Sequence, residues 1–357
     1  MRRTSDDDEL MVISAARVAA DELLAELRAP IEKAMSVATP HAFDAAVARL
    51  AGELRRASSA SDVEAMRAAV GVLDIDWRAA TAQQRSAVVR AALAAAGRAT
   101  AAVPTRIEAS LGPAATAVVR AARGDARRDQ RLAIAADFNA IDHRAIAYLR
   151  RANTALVTDA YGRRLEAFGD RARGIVARGL EQGLARDDIA ADLASAADRA
   201  LVSNLRSYWD VVAASFIGEA RSFSQMSSYA EAGIERYVIS AVLDEVTTDA
   251  CRFLDGKVLR TADALGTFER LEASDDPLAI KRERPWVRER QSGDGVRELV
   301  VTRGSTATTL AAVERSGVGA RDDRGAFTRT VDARDLAPAG IGLPPYHGLC
   351  RSSTLAS

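Results

Sequence analysis

The stretch Tyr229-Ala-Glu-Ala-Gly233-Ile-Glu-Arg-Tyr237-Val-Ile-Ser-Ala-Val-Leu243 is where the chain changes character. Upstream of it, Leu205, Trp209, Val212, Phe216 and Tyr229 recur at helical spacing, which predicts a helix over about 200–232. Gly233 is the expected stop, because glycine accepts the left-handed backbone that closes a helix. Downstream, residues 237–243 are short, β-branched and bounded by turn formers, the pattern of a strand.

Working back from this boundary, the chain reads as helix nearly throughout. Residues Ile141 to Gly179 predict one long helix, with Ile146, Leu149, Leu156, Leu165 and Phe168 as its buried stripe. Gly183 marks a turn, and Leu184, Ile189 and Leu193 suggest a short docked helix. Pro104 and Pro113 punctuate the region before. Thr81 with Gln84, and Ser61 with Glu64, have capping-box spacing, and Thr39-Pro40 looks like an N-cap followed by Pro at the first helical position. Leu10, Ile13, Val18, Leu23, Leu24 and Leu27 continue the helical spacing.

Working forward, 297–302 and 326–331 are two further strand candidates. Between them and the first strand, 272–295 is charged and loop-like, with Lys281, Arg282, Arg284, Arg288 and Arg290 around Pro285 and Trp286. The expected fold is mainly α with a smaller C-terminal α+β unit: an elongated helical body, then a short β-rich, loop-rich domain. The expected divisions are a helical N-terminal region (1–139), a second helical part (140–233) and the terminal unit (234–357). No repeat of fixed period and no sustained heptad is present.

Composition narrows the function classes. With 357 residues the chain is long enough for two domains, and 48% hydrophobic against 27% charged residues is globular rather than disordered. Equal numbers of basic and acidic residues, 49 of each, argue against a chain built mainly to coat nucleic acid. Lys occurs only at 33, 257 and 281, an Arg bias that reads as GC-rich coding. Two cysteines cannot make a disulfide scaffold for this length. Met1 to Leu10 has no apolar core, and no run of 18 apolar residues occurs, so neither a signal peptide nor a membrane partner is expected. Arg120, Arg123, Arg127, Arg128, Arg131, Arg144, Arg150 and Arg151, interleaved with Asp125, Asp129 and Asp142, read as a solvated face. Contact with DNA phosphate is the sharper alternative.

The chemistry concentrates in two segments that hold both cysteines. The first is Asp244-Glu-Val-Thr247-Thr-Asp249-Ala-Cys251-Arg-Phe-Leu254-Asp255-Gly256-Lys257. The second is Pro344-Pro345-Tyr-His347-Gly-Leu-Cys350-Arg351. His347 and Cys350 have the short spacing of a metal knuckle; Cys251 is a third soft ligand, and Asp249 or Asp244 a candidate fourth, for zinc. Such a clip would tie the end of the chain to the start of the β region. Two alternatives stand beside it: two small buried thiols with a hydrogen-bonded histidine, or a Cys–His nucleophile pair. Against the last, the sequence shows no oxyanion site and no orienting carboxylate. His41 and His143 read as surface or capping residues, and no phosphate-binding glycine pattern occurs.

These segments resemble the phage head morphogenesis family, the minor head proteins related to phage Mu protein F. Asp244, Thr247, Cys251, Leu254, Asp255, Gly256 and Lys257 match the first family motif, and Pro344, Pro345, His347, Cys350 and Arg351 the second. Arg221 and Ala232-Gly233-Ile234 stand where members carry an Arg-Thr-Glu … Ala-Gly-Ile helix, although Ser222-Phe223 replaces Thr-Glu. The resemblance covers about 140–354. Many members end Cys-Arg-Cys, and here Ser352 occupies the last position. The resemblance implies a non-enzymatic assembly protein in few copies near the portal. Its expected partners are the portal protein, other head proteins and packaged DNA, with no small-molecule substrate. Its expected location is the host cytoplasm during assembly and then the capsid interior. With only three residues after Thr354, no toxin domain is expected to follow. The competing reading is a metal- or Cys-dependent hydrolase of a mobile element.

Overall fold

The computed structural model describes residues 36–203 and 205–357. The positions from Leu10 to Leu27, and the side chain of Leu205, lie outside the described residues. The chain is mainly α with a small C-terminal α+β unit.

Helix α1 (Pro40–Leu73) starts as its sequence dictates: Thr39 Oγ1 accepts from the Ala42 amide, and Pro40 supplies a pre-set φ at the first position. Ser61 does not cap anything. Helix α1 runs straight through it, and its hydroxyl accepts from Arg106 instead. Helix α2 (Ala82–Thr100) has the reciprocal box of Thr81 and Gln84. Helix α3 (Val103–Arg128) begins at Pro104 but carries Pro113 in its interior without ending there. Together α2 and α3 form a stretch, Ala82–Arg128, that by length and composition alone is long and apolar enough to cross a bilayer. The chain breaks at Ala101 and Ala102, and both helices pack against α1.

Helix α4 (Ala140–Glu181) is capped by Asn139, whose side chain and the Asp142 carboxylate bond each other's backbone amides. Arg123 reaches this cap and is fully buried, pairing with Asp142 at 3.0 Å and Glu231 at 2.5 Å. Within the Arg120–Arg151 cluster Arg123 alone is buried, and the other arginines are solvent-exposed. Arg144 pairs with Glu272, Arg150 with Glu108, and Arg151 with Asp275. After the Gly183 turn (φ +68°), helix α5 (Arg186–Asp198) docks Ile189 and Leu193 against α4.

Helix α6 (Leu205–Glu231) is the organising element. From Phe216 to Tyr229 every residue is buried, so this part of the helix has no solvent face. Its polar positions are satisfied locally: Ser222 and Ser228 bond the carbonyls four residues back, and Ser224 bonds the Val119 carbonyl of α3. Gly233 then closes it at φ +70°.

The terminal unit carries two antiparallel sheets. Strand β1 (Arg236–Ser240) lies between β2 (Val258–Arg260) and β7 (Ser353–Ala356), with Ile239 opposite Thr354. The second sheet runs in order β3 (Arg288–Gln291), β4 (Arg297–Arg303), β5 (Thr306–Arg315) and β6 (Ala326–Thr328). Short helices α7 (Asp249–Leu254), α8 (Thr261–Glu272), α9 (Pro277–Glu283) and α10 (Ala333–Leu336) link the strands. Several expectations are corrected here. The first strand ends at Ser240, the candidate at 326–331 ends at Thr328, and the charged stretch 272–295 is not a loop, since it contains α9 and β3.

One core cluster runs from Val37 through Trp209, Phe216 and Phe223 to Leu254, Tyr346 and Cys350, so the helical body and the terminal unit share their interior. A second, around Trp77, Phe168 and Ile189, fills the far end between α1, α2, α4 and α5.

Candidate metal centre

The first motif begins with a tight turn. Thr247 Oγ1 donates to Asp244 Oδ1 at 2.7 Å and accepts from the Asp244 amide, fixing the chain just before α7. Thr248 caps α7 by accepting from the Cys251 amide, which directs the Cys251 side chain inward. Asp255-Gly256 ends the helix: Gly256 sits at φ +78°, where a side chain is disfavoured, and its amide bonds the Ile239 carbonyl of β1 at 2.8 Å. Asp255 accepts from the Ala241 amide and pairs with Arg324, Leu254 is fully buried, and the Lys257 ammonium lies over the Phe253 ring. Each of these motif positions shapes the backbone around Cys251.

The second motif arrives against α6. Pro345 packs on Gly218, where a Cβ would sit 3.5 Å from the ring, and the Pro344 carbonyl accepts from Arg284 at 2.7 Å. The chain then turns, with the Cys350 amide bonding the His347 carbonyl, and runs on as β7 beside β1.

The two segments meet at three side chains. Cys251 Sγ lies 3.1 Å from His347 Nε2 and 3.6 Å from Cys350 Sγ, and all three donor atoms fall within 4.8 Å of one another. A tetrahedral zinc with its usual bond lengths would set sulfur–sulfur and sulfur–nitrogen separations of about 3.8 and 3.5 Å. This Cys–His–Cys group is thus near enough to bind a metal ion. Both thiols are buried and unpaired by a disulfide. Burial works against ionising Cys350, but the hydrogen bond from Cys251 and the charge of His347 hold its thiol well below the ordinary range. Only a thiolate ligates a metal, so metal binding here would release the thiol protons.

The candidate fourth ligands are not part of this group. Asp249 is fully buried, but one oxygen accepts from Arg297 at 3.0 Å and the other from the Gly317 amide at 3.1 Å, so it anchors the second sheet. Asp244 is taken by Thr247 and by Arg351. The other terminal nitrogen of Arg351 lies 3.6 Å from Asp44 of α1. His41 and His143 are exposed and are not members of the group.

Sequence reasoning missed the residues that support the centre. Arg252, inside the first motif, is buried and donates to the carbonyls of Thr247, Asp244, Ala320 and Asp323, tying the loop before β6 to α7. Arg221 is buried in α6 and donates to the carbonyls of Val37, Arg351 and Ser352. Burial pushes its guanidinium down to about 10. The family-like position of Arg221 was the one signal for it; Arg252 gave none.

A cleft of about 630 Å³ opens above the group. Phe43 and Val47 of α1, Val211 and Ala214 of α6, and Val246, Trp286 and Leu349 form its walls, with Thr248, Cys251, His347 and Ser352 among its lining. No family model, curated protein or solved structure matches this chain.

Proposed function

We propose that this chain is a minor head protein of a phage or prophage, acting in head assembly at the portal inside the procapsid. A zinc ion held by Cys251, His347 and Cys350 would clip its terminal unit to the helical body. The supporting observation is that the two motif segments, 99 residues apart at their cysteines, are packed together, with their buried sulfurs 3.6 Å apart. Every matched position there either shapes the backbone or contributes to the Cys–His–Cys group. A clip of this kind suits a chain that must hold its shape among partner proteins.

The test is quantitative mass spectrometry on gradient-purified procapsids and DNA-filled particles. A few copies per portal in procapsids is the expected result. Absence from particles at every stage, with the major capsid protein present, would overturn it.

One observation favours the second reading. The Cys251–His347 contact of 3.1 Å lies on the floor of a cleft, as a nucleophile and its base would. A hydrolase of this kind loses activity in Cys251→Ala while keeping its melting temperature; a clip loses melting temperature.

A further inference from the structure

Cys251, His347 and Cys350 supply three donors, and structural zinc closes with four. What stands at the remaining position decides whether the centre is inert or open. Ser352 is the residue to consider. It is 2% exposed, and its Oγ is a buried polar atom without a well-directed hydrogen bond. It stands two residues after Cys350 and lines the same cleft as Cys251 and His347. Its backbone is fixed, because its carbonyl is held by Arg221 and β7 starts at the next residue.

Resting on the zinc reading above, we infer that the fourth position opens on the cleft, takes an exchangeable donor from it, and is flanked by the Ser352 hydroxyl as that donor's hydrogen-bond partner. Two features point the same way. Cys251, His347 and Ser352 all face the cleft, so the centre sits on its floor rather than sealed in the core. The carboxylates that could close the site from within, Asp244 and Asp249, are bound to Arg351 and Arg297. The donor class that fits is a small monodentate base, such as an imidazole or a carboxylate reaching down between Val246, Trp286 and Leu349. These three apolar side chains are exposed at the rim, Val246 at 74%, Leu349 at 56% and Trp286 at 41%.

The experiment loads the full-length chain with one equivalent of cobalt(II) and follows the visible ligand-field spectrum during an imidazole titration. Wild type is expected to show a saturable spectral change. Ser352→Cys, which adds a third thiolate as the fourth ligand, is expected to bind cobalt at least about 10-fold more tightly and to show no change with imidazole. Ser352→Ala is expected to keep the ion about 10-fold more weakly, the scale of losing a neighbouring hydrogen bond. One bound equivalent that is indifferent to imidazole in wild type overturns the open position. Equal affinity and equal imidazole response in wild type and Ser352→Ala overturn the part given to the hydroxyl. If wild type retains no cobalt or zinc at all, the metal reading itself fails, a result distinct from the other two.

Discussion

Arg351 closes on Asp244, joining the last residue of the second motif to the first residue of the first. Both side chains are mostly sheltered, each 18% exposed. Arg351 lines the cleft, and the same guanidinium leans toward Asp44 of α1. Arg351→Ala is therefore expected to cost about 2 kcal/mol, the scale of a charge-assisted hydrogen bond with partial burial. A double-mutant cycle with Asp244→Ala should give a coupling of about 1 kcal/mol in urea denaturation. Simple additivity of the two single changes would show that the pair contributes nothing.

Protonation provides a second view of the same contact. Burial works against the Asp244 carboxylate, but hydrogen bonds from Thr247 and Arg351 prevail and hold it below the usual range. A carboxylate lowered on folding adds stability that is complete above its unfolded value, near 3.9, and is lost as pH falls through the lower folded value. The stability gap between wild type and Asp244→Asn should be constant from about pH 7 to pH 5 and shrink below about pH 4. A gap that widens on acidification would contradict the assignment.

Arg221 predicts a larger effect. Its guanidinium satisfies the carbonyls of Val37 at 3.1 Å and of Arg351 at 2.9 Å, as well as that of Ser352. Arg221→Met keeps much of the apolar stem and removes every one of these donors. Each orphaned buried carbonyl costs about 1–3 kcal/mol, so a loss of roughly 3 kcal/mol or more is expected, read from the shift in urea midpoint. A cost under about 1 kcal/mol would mean that water replaces the guanidinium.

The helical body was largely legible because its signals are local. The Gly233 stop, the Thr81–Gln84 box and the span of α4 each depend on residues within a few positions of one another. The terminal unit was less so. Strand β7 is four residues long and owes its conformation to β1, more than 100 residues away, a partner no local pattern announces. Strand β5 is Thr- and Ala-rich, with no clear alternation to separate it from helix or loop. At the site, residue types and spacing exposed Cys251, His347 and Cys350. They could not reveal that Asp244 and Asp249 were already engaged by arginines, because arginine partners are set by the fold and not by sequence distance.

Two glycines make a paired test of helix packing. Gly162, in the middle of α4, has nothing within 4 Å of the place a Cβ would occupy, so Gly162→Ala is expected to stabilise by about 1 kcal/mol. Gly179, in the same helix, faces α5 so closely that a Cβ would meet Ile189 Cγ1 at 2.7 Å. There the overpacking cost, about 1–3 kcal/mol, outweighs the same propensity gain. Thermal melts of the two variants should therefore move in opposite directions.

Metal removal tests the clip through its geography. The Cys–His–Cys group joins α7 to the chain entering β7, and both belong to the core shared with α6. Helices α2 and α5 pack into the second cluster around Trp77 and Ile189, away from the centre. If a metal holds the segments together, a chelator should speed amide exchange in 243–257, in 343–356 and in β1, whose partner β7 would loosen. Amides of α2 and α5 should keep their protection. Exchange unchanged throughout would show that packing alone holds the two motifs in place, and exchange raised equally everywhere would mean that the chelator acts on global stability rather than on a local clip.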